Sequence, residues 1–183
     1  MLLLTLIAAQ ALALAPSSKV WIEGDSNLHP WSCKATQADA NILVEPNSPQ
    51  IAQAMDLRVA VKGLDCGDGK MNEKLRDALH SDAHPVIEYH LIRADRVTAW
   101  PLRIKALGAL TINGTTKPVS FTVDVDNNSP TGAQNAQGKV DILMTDFGVE
   151  PPSALLVLKT YDKVTVHFEV HAIPRPVAHA VNQ

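Results

Sequence analysis

The sequence predicts an all-β fold, a closed antiparallel barrel of about eight strands with one inserted amphipathic helix. Three observations predict it. After residue 50, apolar and polar residues alternate with a period of two, as in strands with one dry and one wet face. Short turn signals separate the alternating runs, as in antiparallel sheets. The segment from Lys70 to His80 changes to helical spacing.

The chain opens with MLLLTLIAAQALALAP. Apolar residues run from Leu2 to Ile7 and small residues follow. Ala11-Leu12-Ala13 has the A-x-A form of a signal-peptidase site. A second A-x-A ends at Ala15, where Pro16 opposes cleavage. Residues 1–15 are therefore expected to be an export signal, cut after Ala13 or Ala15. No Lys or Arg precedes the apolar run, so the other readings are a short N-terminal anchor or a mis-called start codon. The run is shorter than the roughly 20 residues a bilayer requires. Residues 16–173 are expected to form the domain, and 174–183 a flexible tail.

Lys19 to Val44 gives no clear facing, because Gln37, Asp39 and Asn41 interrupt a possible strand from Cys33. Pro46-Asn47-Ser48-Pro49 marks a loop. From Asp56 to Val61, Leu57, Val59 and Val61 alternate with Asp56, Arg58 and Ala60. From Lys70 to His80, Met71, Leu75, Ala78 and Leu79 make one apolar face of a helix of about three turns. That face either packs on the barrel or lies over a pocket mouth. From Trp100 to Ile112 one parity is apolar, and it includes the small Ala106 and Gly108. Asn113-Gly114 is a hairpin signal. Val119 to Val125 and Val164 to Val170 alternate again, around a loop at Asn127 to Gly132. At eight strands, a barrel interior is either filled by side chains or holds one small ligand.

Composition narrows the function. Hydrophobic residues are 46% and charged residues 19%, as in a folded globular domain. Net charge is −3 with no basic run, which leaves no footprint for nucleic acid. No later stretch is long enough for a helix to span a membrane, so no stable membrane insertion is expected. Cys33 and Cys66 are the two cysteines. Behind an export signal they suggest one disulfide, the alternative being two buried thiols.

No catalytic or metal signature emerges. The seven histidines lack paired spacing. His167 and His171 would stand about 13 Å apart along a strand. His90, His167 and His171 are expected on the wet face, and no metal or cofactor is expected. No nucleophile elbow, P-loop or dinucleotide fingerprint occurs. Asp65, Asp68 and Asp82 read as turn and cap residues. Asp146-Phe147-Gly148 reads as a turn that lets Phe147 close one end of the barrel. Asn113-Gly114-Thr115 fits a glycosylation sequon, but the hairpin explains it better.

Three blocks carry a family likeness: KMNEKLRDALHSDAHPVIEY at Lys70 to Tyr89, GALTINGTTKPVSFTV at Gly108 to Val123, and GKVDILMTDFGV at Gly138 to Val149. With Trp21-Ile22 and the last strand, the chain resembles the YceI family of lipid-binding proteins over nearly all of its mature length. Trp31-Ser32-Cys33 and Leu64-Asp65-Cys66 resemble a disulfide-bearing variant of that family. The resemblance implies a lipocalin-like barrel, export to the periplasm, and a polyisoprenoid or quinone-like lipid held in the lumen. It implies no catalytic residues, so the chain is not expected to be an enzyme.

The ligand would touch the inward parity: Leu57, Val59, Val61, Ile87, Tyr89, Leu91, Ile104, Leu110, Phe121, Val123, Ile142, Met144, Val166 and Phe168. Two alternatives compete with lipid carriage or storage. One is a structural or interaction barrel packed solid. The other is an accessory to quinone-linked redox chemistry, which predicts a buried charged pair near Asp146 or His90. Oligomeric state is not readable from the sequence.

Overall fold

Asn113 and Gly114 reverse the chain in a two-residue loop, with φ of 50° and 72°. Ile112 faces Thr115 across it. Positive φ at both positions is the requirement of a type I′ hairpin, which asparagine and glycine meet at least cost. The computed structural model describes residues 9–45, 48–126, 133–154 and 158–175.

In chain order the described strands are β1 (Gln10–Leu14), β2 (Lys19–Ser26), β3 (Trp31–Ala35), β4 (Ala38–Glu45), β5 (Ser48–Ala60) and β6 (Leu64–Asp65). After helix α1 (Gly69–Ala78) come β7 (Val86–Ala99), β8 (Leu102–Ile112), β9 (Thr115–Asp126), β10 (Gln134–Leu143), β11 (Ser153–Ala154) and β12 (Leu158–Pro174). All the pairings are antiparallel.

These segments make an eight-stranded closed barrel, because three of its staves are broken in the middle. β1 and β2 lie end to end along β12, β1 at Ala172–Pro174 and β2 at Thr160–Glu169. β3 and β4 are likewise the two halves of the next stave, and β5 and β6 of the third. β7 to β10 and then β12 complete an up-and-down meander. The barrel closes where β1 pairs with β12 on one side and β4 on the other.

Side-chain alternation decides which face is dry. In β8, Leu102, Ile104, Ala106, Gly108, Leu110 and Ile112 are buried, while Arg103 and Lys105 are exposed. One residue of slip would turn that whole set into water. β8 begins at Leu102 rather than at the expected Trp100, since Trp100 and Pro101 form the preceding turn. Proline fixes φ and cannot donate to a ladder. Ser48 and Pro49, expected in a loop, belong to β5. Glu45 pairs with Ser48, so the connection between β4 and β5 is residues 46–47. Val61, expected to continue the strand, instead starts a 3₁₀ turn over Val61–Gly63.

The expected helix is present as α1, ending two residues before His80. Asp68 caps it, its carboxylate accepting from the Met71 N–H at 2.9 Å. Leu79 serves as C-cap, and His80 follows at φ 46°. Gln10–Leu14, within the expected leader, forms β1 in the sheet. At the other end β12 extends through Pro174, and Arg175 still donates its backbone N–H to Ala11. The expected loop at 127–132 and the rest of the expected tail, 176–183, lie outside the described residues.

Candidate functional site

The inward faces of the staves surround a cavity of about 720 Å3. That lies within the range of small-molecule sites, and its walls are almost wholly hydrocarbon. Thirteen of the fourteen residues expected to face the lumen line it: Leu57, Val59, Ile87, Tyr89, Leu91, Ile104, Leu110, Phe121, Val123, Ile142, Met144, Val166 and Phe168. Val61 does not. The 3₁₀ turn ends the alternation there, and Val61 packs at 1% exposure into the cluster with Leu64, Leu79 and Phe147.

Three aromatic rings form a row across the wall. Tyr89 and Phe121 have centroids 5.7 Å apart, and Phe121 meets Phe168 edge-on at 5.5 Å. Two of these rings lie over glycines. A Cβ on Gly108 would overlap Tyr89, and one on Gly138 would overlap Phe168. Trp31 covers Gly24 in the same way. A ring laid over a glycine hugs the sheet instead of projecting to the barrel axis. Volume that would otherwise fill the lumen is thus spent along its wall.

The N-terminal half supplies lining that alternation did not reveal. Leu12, Ile42, Val44, Ala52 and Met55 face the cavity, as do Val170 and Ala172 of β12, which pack with them. The break between β3 and β4 shifts the parity, from Cys33 to Ile42, and a register irregularity in β5 shifts it again between Ala52 and Met55, which hides this face from a period-two reading. At the other end Phe147 is 2% exposed and lines the cavity. It is carried by a 3₁₀ turn, Met144–Phe147, that ends on Gly148 at φ 66°. The turn expected at Asp146-Phe147-Gly148 is thus present, with Phe147 buried in the cavity wall.

Helix α1 contributes to the site as well. Met71, Leu75, Ala78 and Leu79, its expected apolar face, all line the cavity. The helix is moored by a polar knot. Asn72 donates to Asp65 at 3.0 Å and accepts from the Cys66 N–H at 2.7 Å. The Asn72 amide, then the Gly67 N–H, hold the Asp65 carboxyl below the usual carboxylate range. Cys33 and Cys66 form a disulfide that ties this segment to β3. After α1, Asp82 pairs with Lys62 at 2.9 Å.

Among the described residues, charged side chains stay outside the deep lumen. His90 bonds Asp56 at 2.6 Å on the wet face, and Asp146 is exposed. His171 meets Asn135 at 2.7 Å, and His167 stacks on Trp21 beside Glu23. Among the described residues no buried charged pair lies near Asp146 or His90, and no cluster of metal-ligating side chains occurs. Asp68, Lys70, Lys74 and His29 edge the cavity as exposed residues. Two polar groups in the wall have no partner among the described residues: the Tyr89 hydroxyl and the Trp31 indole N–H. Burial raises the Tyr89 pKa to about 12.

A family model described as a YceI-like domain matches residues 17–172. The chain belongs to the YceI family. No curated protein matches the chain significantly. Among solved structures, BcnA of Burkholderia cenocepacia is similar to this YceI chain, with 19% identity and a TM-score of 0.74. The match covers 86% of this chain and 98% of that one. A polyisoprenoid binding domain from Saccharophagus degradans, implicated in plant cell wall breakdown, superposes with a TM-score of 0.71 at 14% identity. It covers 92% of this chain and 100% of the other. The YceI protein of Campylobacter jejuni gives 0.66 at 15% identity, over 79% of this chain and 84% of its own. These likenesses establish the YceI barrel, which agrees with the lipocalin-like fold implied by the sequence blocks. Among the described residues, no helix of this YceI chain is long and apolar enough to cross a membrane.

Proposed function

We propose that the barrel binds a long-chain isoprenoid-type amphiphile in its lumen and carries or stores it in the periplasm. The observation that carries this is the apolar cavity of about 720 Å3, walled by inward residues from around the barrel and by the apolar face of α1. A barrel packed solid would have no such space. Burying an apolar chain gains roughly 0.8 kcal/mol per CH₂ group. Ordering that chain and losing its free motion cost several kcal/mol in return. A long chain accumulates enough buried groups to exceed that cost, whereas a short one does not. The name of the Saccharophagus degradans domain supports an isoprenoid over other apolar chains.

The unpartnered Tyr89 hydroxyl adds a polar preference. A buried donor without an acceptor is costly, and a ligand oxygen would relieve it. A carbonyl or ether oxygen reaching Tyr89 suits a quinone-like lipid. The protein's part in this reading is binding, with no covalent step.

The test is extraction of the purified, never-refolded protein into organic solvent, followed by mass spectrometry. A co-purified polyprenyl lipid is the expected result. Recovery of no lipid, together with no uptake of added polyprenyl lipid by the emptied protein, would overturn the proposal.

A further inference from the structure

Leu12 is 1% exposed, among the most deeply buried side chains of the described residues. It packs with Ala40, Ile42, Val44, Val170 and Ala172. Its backbone is held from both sides, facing Ile42 of β4 and Pro174 of β12. Ala13 is bracketed in the same way by Asn41 and Ile173. Leu14 faces Ala172, and the Ala15 N–H donates to His171 at 2.7 Å. β1 is thus the seam that closes the barrel between β4 and β12, although it precedes the span matched by the family model.

This conflicts with cleavage of an export signal after Ala13 or Ala15. The first cut removes Leu12 and leaves a hole in an apolar cluster. The second removes all of β1 and bares two strand edges beside the lumen. An earlier A-x-A is present: Ala9-Gln10-Ala11. Ala9 and Ala11 there place small residues at the two positions a signal peptidase reads. A cut after Ala11 releases Gln10 and Ala11, whose pairing is with β4 alone, on the partners Val44 and Leu43. The backbone bond from Arg175 to the Ala11 carbonyl is also lost. Leu12, Ala13 and Leu14 keep their places.

We propose that the export signal is cut between Ala11 and Leu12, so that the mature chain begins with the residue that seals the barrel. Cleavage hydrolyses one peptide bond: water supplies the hydroxyl of the new Ala11 carboxyl group and a proton of the new Leu12 amine. The reaction takes place while the chain is still unfolded, because in the finished barrel this bond lies within a paired strand. The proposal rests on the export reading but does not depend on which lipid is bound.

The test is production of the full chain in a Gram-negative host, followed by intact mass and N-terminal sequencing of the periplasmic protein. Leu12 as the first residue is expected. A periplasmic protein starting at Leu14 or Pro16 would overturn the proposal and leave export standing. A chain retained in the cytoplasm with residues 1–11 still attached would overturn both. Two leaderless chains, one starting at Leu12 and one at Pro16, test the structural half. With the Cys33–Cys66 bridge oxidised in both, the first should melt at the temperature of the periplasmic protein, and the second several degrees lower or not fold. Equal melting of the two would show that β1 does not seal the barrel.

Discussion

The ring of Tyr89 on β7 lies over Gly108 on β8, in space that a Cβ on that residue would have to share. The two residues sit diagonally across the pair, Tyr89 opposite Leu110 and Gly108 opposite Leu91. With Phe168 over Gly138, this makes the glycines part of the cavity's shape rather than weak points in strands.

Gly108→Val should therefore cost about 1–3 kcal/mol by overpacking. For a domain of this size that lowers Tm by roughly 2–4 °C per kcal/mol. The displaced ring should also enter the lumen and reduce lipid uptake. Gly69→Ala is the control, because nothing lies within 4 Å of its added methyl. Thermal melts and uptake of a fluorescent polyprenyl analogue read the two effects. Identical melts and uptake for Gly108→Val and the control would refute the shape argument.

Burial raises the Tyr89 pKa to about 12, above the ordinary value of 10.0. Above pH 10 the unfolded chain ionises this tyrosine while the folded barrel keeps it neutral. Its contribution to stability is therefore complete below pH 10 and is lost as pH rises through about 12. Tyr89→Phe should flatten this part of the alkaline decline in urea-unfolding free energy. It should also weaken a lipid bearing a carbonyl oxygen more than a plain polyprenyl chain. An unchanged alkaline slope would count against the burial argument.

Much of this was legible in the sequence where the strands run straight. β8 and β9 show alternation and a hairpin signal, so Ile104, Leu110, Phe121 and Val123 could be assigned to the lumen from period alone. Val61 could not, since a single 3₁₀ turn ends the period without a glycine or proline at its first residue. The N-terminal staves were harder still. Each is broken once, and in two of them the inward residues change parity across the break, from Cys33 to Ile42 and from Val59 to Leu64. β1 was obscured for another reason. A short run of leucine and alanine has the same composition whether it seals a barrel or forms the end of a signal peptide.

Cys33 and Cys66 close a loop of roughly 34 residues, worth about 3–4 kcal/mol on the chain-entropy model. The bridge joins β3 to the segment that leads into α1, and Cys33 is 2% exposed. A paired Cys33→Ala and Cys66→Ala variant is thus a cleaner test than added reductant. Its urea-unfolding free energy should fall by about that amount. Lipid retention should fall as well, since Met71 and Leu75 line the cavity from the helix that the bridge helps to moor. A loss under about 1 kcal/mol would mean the unfolded chain is little constrained by the link.

Neighbours on β9 offer the sharpest test of facing. Val123 lines the cavity, while Thr122 is exposed and stands opposite Lys105. Val123→Lys would place an ammonium group against hydrocarbon with no described anion in the deep lumen to receive it, a cost of several kcal/mol unless water enters. The expected outcome is a barrel that unfolds at markedly lower urea or folds with its lumen flooded and empty of lipid. Thr122→Lys adds the same charge one residue away. It meets the like charge of Lys105 across the strand pair, a penalty of about 1 kcal/mol or less. Bound lipid after purification and the urea midpoint distinguish the two variants. If both behave alike, the inward parity of β9 is misassigned, and the rest of the sheet with it, because the register that fixes one strand fixes its neighbours.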